Sequence, residues 1–221
     1  MFFNFINKIF YKEETNEKEL LLATGLFLAT SGVGFADDTQ VGGYVGLKTG
    51  VSNIHVNFDK HYHGYKFSDF SDGTGHLGIA GGALFKNGSI GGRAELEYLH
   101  YFEAEDKITV SDADYKYGPY KIKITGDSIF ANGYFDIYPT DSVNLYLTAG
   151  LGISWIDAKL RETDLETQKN GNFSWKTGAG VMFNLLNDLS IDVGYRFTSL
   201  DSESDGDVYS HDINAGFTFK F

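Results

Sequence analysis

The stretch Tyr209-Ser210-His211-Asp212-Ile213-Asn214-Ala215-Gly216-Phe217-Thr218-Phe219-Lys220-Phe221 decides the fold. On an extended strand, successive side chains point to opposite faces. Tyr209, Ile213, Phe217, Phe219 and Phe221 therefore share one face, and Ser210, Asp212, Asn214, Thr218 and Lys220 share the other. A chain end in water normally frays and solvates. A strand that stops on an aromatic, in register with further apolar residues, is expected instead to complete a ring of strands in a bilayer. There every backbone polar group must be paired, and aromatics collect at the interface.

The same alternation recurs upstream. From Val143 to Trp155, Val143, Leu145, Leu147, Ala149, Leu151, Ile153 and Trp155 oppose Asn144, Tyr146, Thr148, Gly150, Gly152 and Ser154. Phe173, Trp175, Ala179, Val181, Phe183 and Leu185 repeat it, as do Leu189, Ile191, Val193, Tyr195 and Phe197. This period of two is the strand signature. It predicts eight strands near 41–53, 74–86, 89–104, 119–138, 142–158, 173–186, 188–200 and 207–221. Within 119–138 the parity of apolar residues slips near Gly126, because Ile122 and Ile124 are even whereas Ile129, Phe135 and Ile137 are odd. A slip of that kind predicts a bulge, or a strand that continues beyond the membrane.

Connections alternate in length. Asn87-Gly88, Pro139-Thr140-Asp141 and Asn187-Asp188 read as tight turns. Long polar connections fall near 54–73, 105–118, 159–172 and 201–206. Short turns at one end and long loops at the other are the arrangement of membrane barrels. The fold class expected is an all-β, eight-stranded antiparallel up-and-down transmembrane barrel.

The polar face separates this reading from a soluble, lipocalin-like barrel with an apolar interior. It is rich in glycine, including Gly46, Gly78, Gly82, Gly150, Gly178, Gly180 and Gly194, which weakens a solvated strand but suits a crowded lumen. By the alternation rule it carries Lys48, Arg93, Lys176, Arg196 and Lys220 against Glu95, Glu97, Asp136, Asp192 and Asp212. Charges withdrawn from water must be paired, so equal numbers of each sign fit a sealed polar lumen.

Composition agrees. The 221 residues hold 19 Phe, 14 Tyr, 27 Gly and 2 Pro, a strand-rich mixture. The net charge of -12 argues against nucleic-acid partners. With no cysteine there is neither a disulfide framework nor a thiolate metal site. Leu20 to Thr30 is an apolar run of signal-peptide length, and Gly34-Phe35-Ala36 offers a cleavage site, although the preceding residues are acid-rich rather than basic. Residues 1–36 are therefore expected to be a signal peptide and 37–221 the barrel.

With these segments in place, the chain resembles the eight-stranded outer-membrane β-barrel family of the OmpA-transmembrane-domain, OmpX and opacity-protein type. The resemblance is carried by Ala94-Glu-Leu-Glu-Tyr98, Leu147-Thr-Ala-Gly-Leu-Gly-Ile153, Gly178-Ala-Gly-Val-Met-Phe183, Asn187 to Phe197 and Phe217-Thr-Phe-Lys-Phe221. It implies location in the outer membrane, contact with outer-membrane lipid, and a last strand whose Phe217, Phe219 and Phe221 act as a signal to the barrel-assembly machinery.

The function expected is a rigid scaffold whose surface loops act in adhesion or envelope integrity, with host or matrix ligands as partners. His61, Tyr62, His63 and Tyr65 in the first long loop are the candidate contacts. A narrow channel is the alternative, disfavoured because eight strands enclose a side-chain-filled interior. A lipid-modifying enzyme is less expected, since His100 and His211 show no serine or acidic partner fixed by spacing. No cofactor or metal is expected: His61-x-His63 supplies two ligands only, and the acidic run from Asp201 to Asp207 places Asp212, in a strand, where a calcium loop needs its twelfth-position Glu.

Overall fold

Strands dominate the structure, a computed structural model that describes residues 40–58, 66–67, 70–111, 116–160, 171–201 and 206–221. The expected signal peptide, His61, Tyr62, His63, Tyr65 and most of the acidic run from Asp201 lie outside the described residues. The strands are β1 (Gln40–Phe58), β2 (Lys66–Phe67), β3 (Phe70–Asn87), β4 (Ile90–Ser111), β5 (Lys116–Thr140), β6 (Val143–Leu160), β7 (Gly171–Asn184), β8 (Leu189–Asp201) and β9 (Gly206–Lys220). β2 is a two-residue ladder on β4. The other eight form an antiparallel ring closed by the β4–β5 and β1–β9 pairings.

Stepping between cross-strand partners from Tyr44 passes through Gly82, Glu95, Asn132, Gly150, Lys176, Thr198 and Ser210, then returns to β1 at Ile54 rather than Tyr44. That displacement, combined with the strand spacing, tilts the strands by about 40° and gives a backbone radius of about 8 Å. Only side chains fit inside such a ring.

Three tight connections join strands at one end. Gly88 and Ser89 make the first, with Asn87 already paired to Ile90, and Gly88 adopts a φ of 59°, the left-handed region that favours glycine. Asp141 and Ser142 form the second turn, one residue later than the sequence suggests. In the third, Leu185 and Leu186 donate backbone N–H groups to the Leu189 carbonyl. β7 therefore ends at Asn184, and Leu185 belongs to the turn rather than to the strand face.

At the other end the strands outrun the expected loops. Residues 54–58 and 70–73 belong to β1 and β3, while 105–111 and 116–118 belong to β4 and β5. The parity slip proves to be a change of environment. Even residues of β5 stay buried from Ile122 through Ser128 to Asp136, and the register irregularity sits in the pairing with β4, between Tyr101 and Ala104. The shift does fall at Gly126, the partner of Tyr101, with the extra residue on β4 rather than on β5, and the even face of β5 runs through it buried.

Two tiers follow. Around the lower tier, Val45, Leu47, Ile79, Leu96, Ile129, Phe135, Leu147, Leu151, Val193, Ile213 and Phe217 face outward and are exposed, while the opposite face is buried and polar. A water-soluble barrel has these faces reversed, so this belt is the lipid-facing surface. In the upper tier the faces do reverse. Ile54, Val56, Ala104, Ile122, Ile124, Ile156, Leu200 and Val208 are buried inside, while Lys121 and Lys123 pair outside with Glu105 and Glu103.

Candidate functional site: the polar lumen

Glycines make the lumen habitable. A Cβ at Gly82 would meet the Tyr44 ring and the Ala94 carbonyl, and one at Gly180 would meet the Tyr146 ring and the Val193 carbonyl. The aromatic side chains lie across strands where no Cβ stands. This accounts for the glycine-rich polar face, since an eight-stranded interior must alternate small and large residues to fill.

Charges are stacked above one another. Nearest the short turns, Arg93 grips Asp136 through Nε and Nη2, each 3.0 Å from a carboxylate oxygen, and Asn144 adds a donor at 2.9 Å. The Arg93 guanidinium also lies 4.1 Å from the Tyr134 ring centre. One level up, Glu95 accepts from Tyr44 at 3.0 Å and Tyr134 at 2.7 Å, and Lys48 stands 3.6 Å from Glu95 and 3.7 Å from Asp192. Tyr146 donates to Asp192 at 3.1 Å.

At the third level Glu97 receives Arg196 at 2.8 Å, Asn132 at 2.7 Å and Lys176. Arg93, Lys176 and Arg196 each hydrogen-bond a carboxylate in a site withdrawn from water, where charge-assisted donation offsets the cost of desolvation, whereas Lys48 Nζ stands beside two carboxylates without closing a hydrogen bond.

Above lies a layer of hydroxyls. Ser128, Ser154 and Ser174 form a chain at 2.7 and 2.8 Å that ends on the Leu200 carbonyl at 3.0 Å. His76 lies between Ser52 and Asn214, 2.8 Å from each, and Thr198 donates to Asp212 at 2.9 Å. The apolar upper tier caps this layer on the loop side.

The alternation rule thus places nine of its ten charged residues in the interior, each less than a tenth exposed, while Lys220 is half-buried at the turn end and donates to Asn184. The alternation already put Tyr146 on the polar face of its strand, but Tyr44, His76, Asn132 and Tyr134 went unnoticed, although their even parity on the same strands was available. Phe217, Phe219 and Phe221 are exposed on the outer face near the turns.

The outer face holds one correction. His100 does have an acidic partner: its Nδ1 lies 2.8 Å from Asp127 on the neighbouring strand, and Tyr98 donates to the same carboxylate at 2.7 Å. Cross-strand proximity had no sequence spacing to reveal it. His211 meets the Tyr195 hydroxyl at 2.6 Å. These imidazoles contact a carboxylate and a phenol rather than a serine nucleophile. Among the described residues, no three His, Cys, Asp or Glu side chains converge as metal ligands.

A closed antiparallel barrel with a lipid-compatible belt, a polar interior and short turns at one end defines a transmembrane β-barrel. The chain belongs to the outer membrane protein beta-barrel domain family, whose model matches residues 20–221, and its place is the cell outer membrane. Among solved structures it is similar to Neisserial surface protein A, with a TM-score of 0.53 at 20% identity over 81% of this chain and 97% of that one. Ail of Yersinia pestis gives a TM-score of 0.43 at 16% identity, covering 80% and 99%. In sequence, an uncharacterised protein of Brucella abortus is 29% identical over 93 residues, which span 37% of this chain and 32% of that relative's length.

Proposed function

We propose that the protein is a sealed scaffold that carries its surface loops above the outer membrane, where they act in adhesion or envelope integrity. The observation that carries this reading is the upper tier. Ile54, Val56, Ile122, Ile124, Ile156 and Val208 fill the lumen on the loop side, and dry apolar packing is a poor path for ions or solutes. The same tier lifts the loops on strands with a polar surface. Candidate contacts remain His61, Tyr62, His63 and Tyr65, with host or matrix surfaces as partners. Lipid contacts the belt, and the assembly machinery reads Phe217, Phe219 and Phe221.

Two measurements test it. The purified protein should give no steady conductance in a planar bilayer; reproducible steps from a verified inserted barrel would move the reading to a narrow channel. Replacing residues 59–65 with a Gly-Ser segment of equal length should abolish binding to host cells or matrix proteins, and unchanged binding would remove adhesion through this loop.

A further inference from the structure

On the lipid-facing side of β5 the outward residues pass from apolar to charged within a short stretch. Ile129 is exposed in the belt, Asp127 and Thr125 follow at alternate positions, and Lys123 beyond them pairs with Glu103 in the upper tier. Asp127 therefore stands at the edge of the bilayer, where hydrocarbon gives way to headgroups. An ionisable group held at that depth is expensive and marks a functional site. Its cross-strand neighbours are His100 on β4 and Trp155 on β6.

Asp127 fixes the imidazole. Its Oδ1 accepts from the Tyr98 hydroxyl at 2.7 Å and faces His100 Nδ1 at 2.8 Å. An ionised carboxylate only accepts, so Nδ1 carries the proton and Nε2 of the neutral ring presents a lone pair. A carboxylate behind Nδ1 also makes Nε2 more basic. The Phe102 ring meets His100 edge-on at 5.5 Å, and the His100 side chain is 43% exposed. Among the described residues nothing hydrogen-bonds Nε2. On the β3 side Gly75, Leu77 and Ile79 stand beside it, none of which titrates, and Glu103, the next charged side chain along β4, is occupied by Lys123. The site thus offers one strengthened acceptor backed by a negative charge.

We propose that His100 Nε2, backed by Asp127, takes the primary ammonium of an ethanolamine-type lipid headgroup whose acyl chains lie on the adjoining belt. The belt already contacts lipid, and the edge of the bilayer is where a headgroup meets this imidazole. An ammonium N–H donates to the lone pair, and its charge is drawn to the carboxylate. A phosphate brings only acceptors, so it would face a lone pair and a like charge. A quaternary ammonium has no N–H to give.

The test follows the fluorescence of Trp155 in a Trp175→Phe background, with the barrel in phosphatidylcholine vesicles that contain a brominated lipid as quencher. Trp155, the cross-strand neighbour of Asp127, reports the lipid seated there. At about pH 8, brominated phosphatidylethanolamine should bind beside Trp155 about two- to tenfold more tightly than brominated phosphatidylcholine, the worth of one hydrogen bond. Its N-methylated forms should keep the preference until the last N–H is lost. His100→Leu should abolish the preference, whereas His211→Leu should not, since that imidazole is held by a phenol. At about pH 5 the preference should vanish, because a second proton turns Nε2 into a donor. Equal quenching by all lipids, or a preference that survives His100→Leu, would overturn the proposal. So would a preference for brominated phosphatidylglycerol that grows in acid, which would mark a phosphate site instead. If His100→Leu does not fold, the methylation series and its response to acid in the Trp175→Phe barrel decide alone.

Discussion

Arg196 and Glu97 meet across the whole width of the barrel: β8 and β4 are four strands apart in either direction, yet Arg196 Nη1 lies 2.8 Å from Glu97 Oε1. A bond that spans the ring makes opposite walls depend on one another. Glu97 also holds Lys176 from β7, so its removal would strand two buried cations. Glu97→Ala should lower stability by about 3–5 kcal/mol. Replacing the trio together by Leu, Met and Met should recover most of that loss, because an apolar set of similar volume carries no desolvation cost. Urea midpoints in lipid vesicles, followed by fluorescence of Trp155 and Trp175, measure both. Equal losses in the single and triple variants would mean that packing rather than charge governs the site.

Glycines in the barrel divide by what a Cβ would meet. At Gly180 it would strike the Tyr146 ring and a backbone carbonyl, whereas at Gly81 its nearest neighbour is the Tyr44 carbonyl oxygen at 3.8 Å. Gly180→Ala should therefore cost about 1–3 kcal/mol from overpacking. Gly81→Ala, by stiffening the unfolded chain at an unobstructed strand position, should be neutral or stabilise by about 0.5–1 kcal/mol. Unfolding midpoints of the two variants in the same vesicles provide the check, and equal effects would contradict the crowding account of the lumen.

How far the sequence reaches depends on whether one face keeps one chemistry. In the membrane belt, strands such as Val143 to Trp155 keep their apolar residues on the lipid side, and the alternation alone locates Lys48, Glu97 and Arg196 inside. Above the belt the surroundings invert. Ile54 and Ile122 turn inward while Asn53 and Lys121 turn outward, so a rule that equates apolar with outward sees a slip or a polar loop. Partnerships were illegible for another reason. That Glu97 takes both Lys176 and Arg196 while Asp212 takes neither depends on strand stagger and side-chain reach, which parity does not encode. His100 and Asp127 likewise meet only because of the β4–β5 register.

Closure of the ring rests on the β1–β9 seam, and Gly43 seats the ring of Phe221 there. Gly43 N–H donates to the Phe221 carbonyl at 3.0 Å, Phe221 N–H returns to Gly43 at 2.9 Å, and a Cβ at Gly43 would stand 2.6 Å from the ring. An aromatic laid over a cross-strand glycine covers backbone that would otherwise be bare. Phe221→Ala should cost about 0.2–1 kcal/mol, the usual worth of a cross-strand pair. Gly43→Val should displace the ring and give a comparable or larger loss. The heat-modifiable fraction after refolding into vesicles reports closure, and a Gly43→Val yield equal to that of the unmodified chain would show the seat to be dispensable.

The two tiers make opposite demands on the same kind of substitution. Leu147 faces lipid in the belt and is 59% exposed, so Leu147→Arg should cost about 2–4 kcal/mol, the penalty for a cation near the bilayer midplane. Lys121 also faces outward but stands above the belt, where its exposed pair with Glu105 contributes at most about 1 kcal/mol. Lys121→Leu should therefore scarcely change stability. Inside, the order reverses: Ile124, 4% exposed in the cap, should lose about 2–5 kcal/mol on replacement by Ala, since a buried large residue leaves a cavity. Unfolding midpoints in vesicles of two bilayer thicknesses separate the causes. The Leu147→Arg penalty should change with thickness because it is a lipid effect, while the Ile124→Ala penalty should not, because that side chain never meets lipid. A thickness-dependent cost at Ile124 would place the upper tier inside the membrane and undo the division drawn from the inversion of faces.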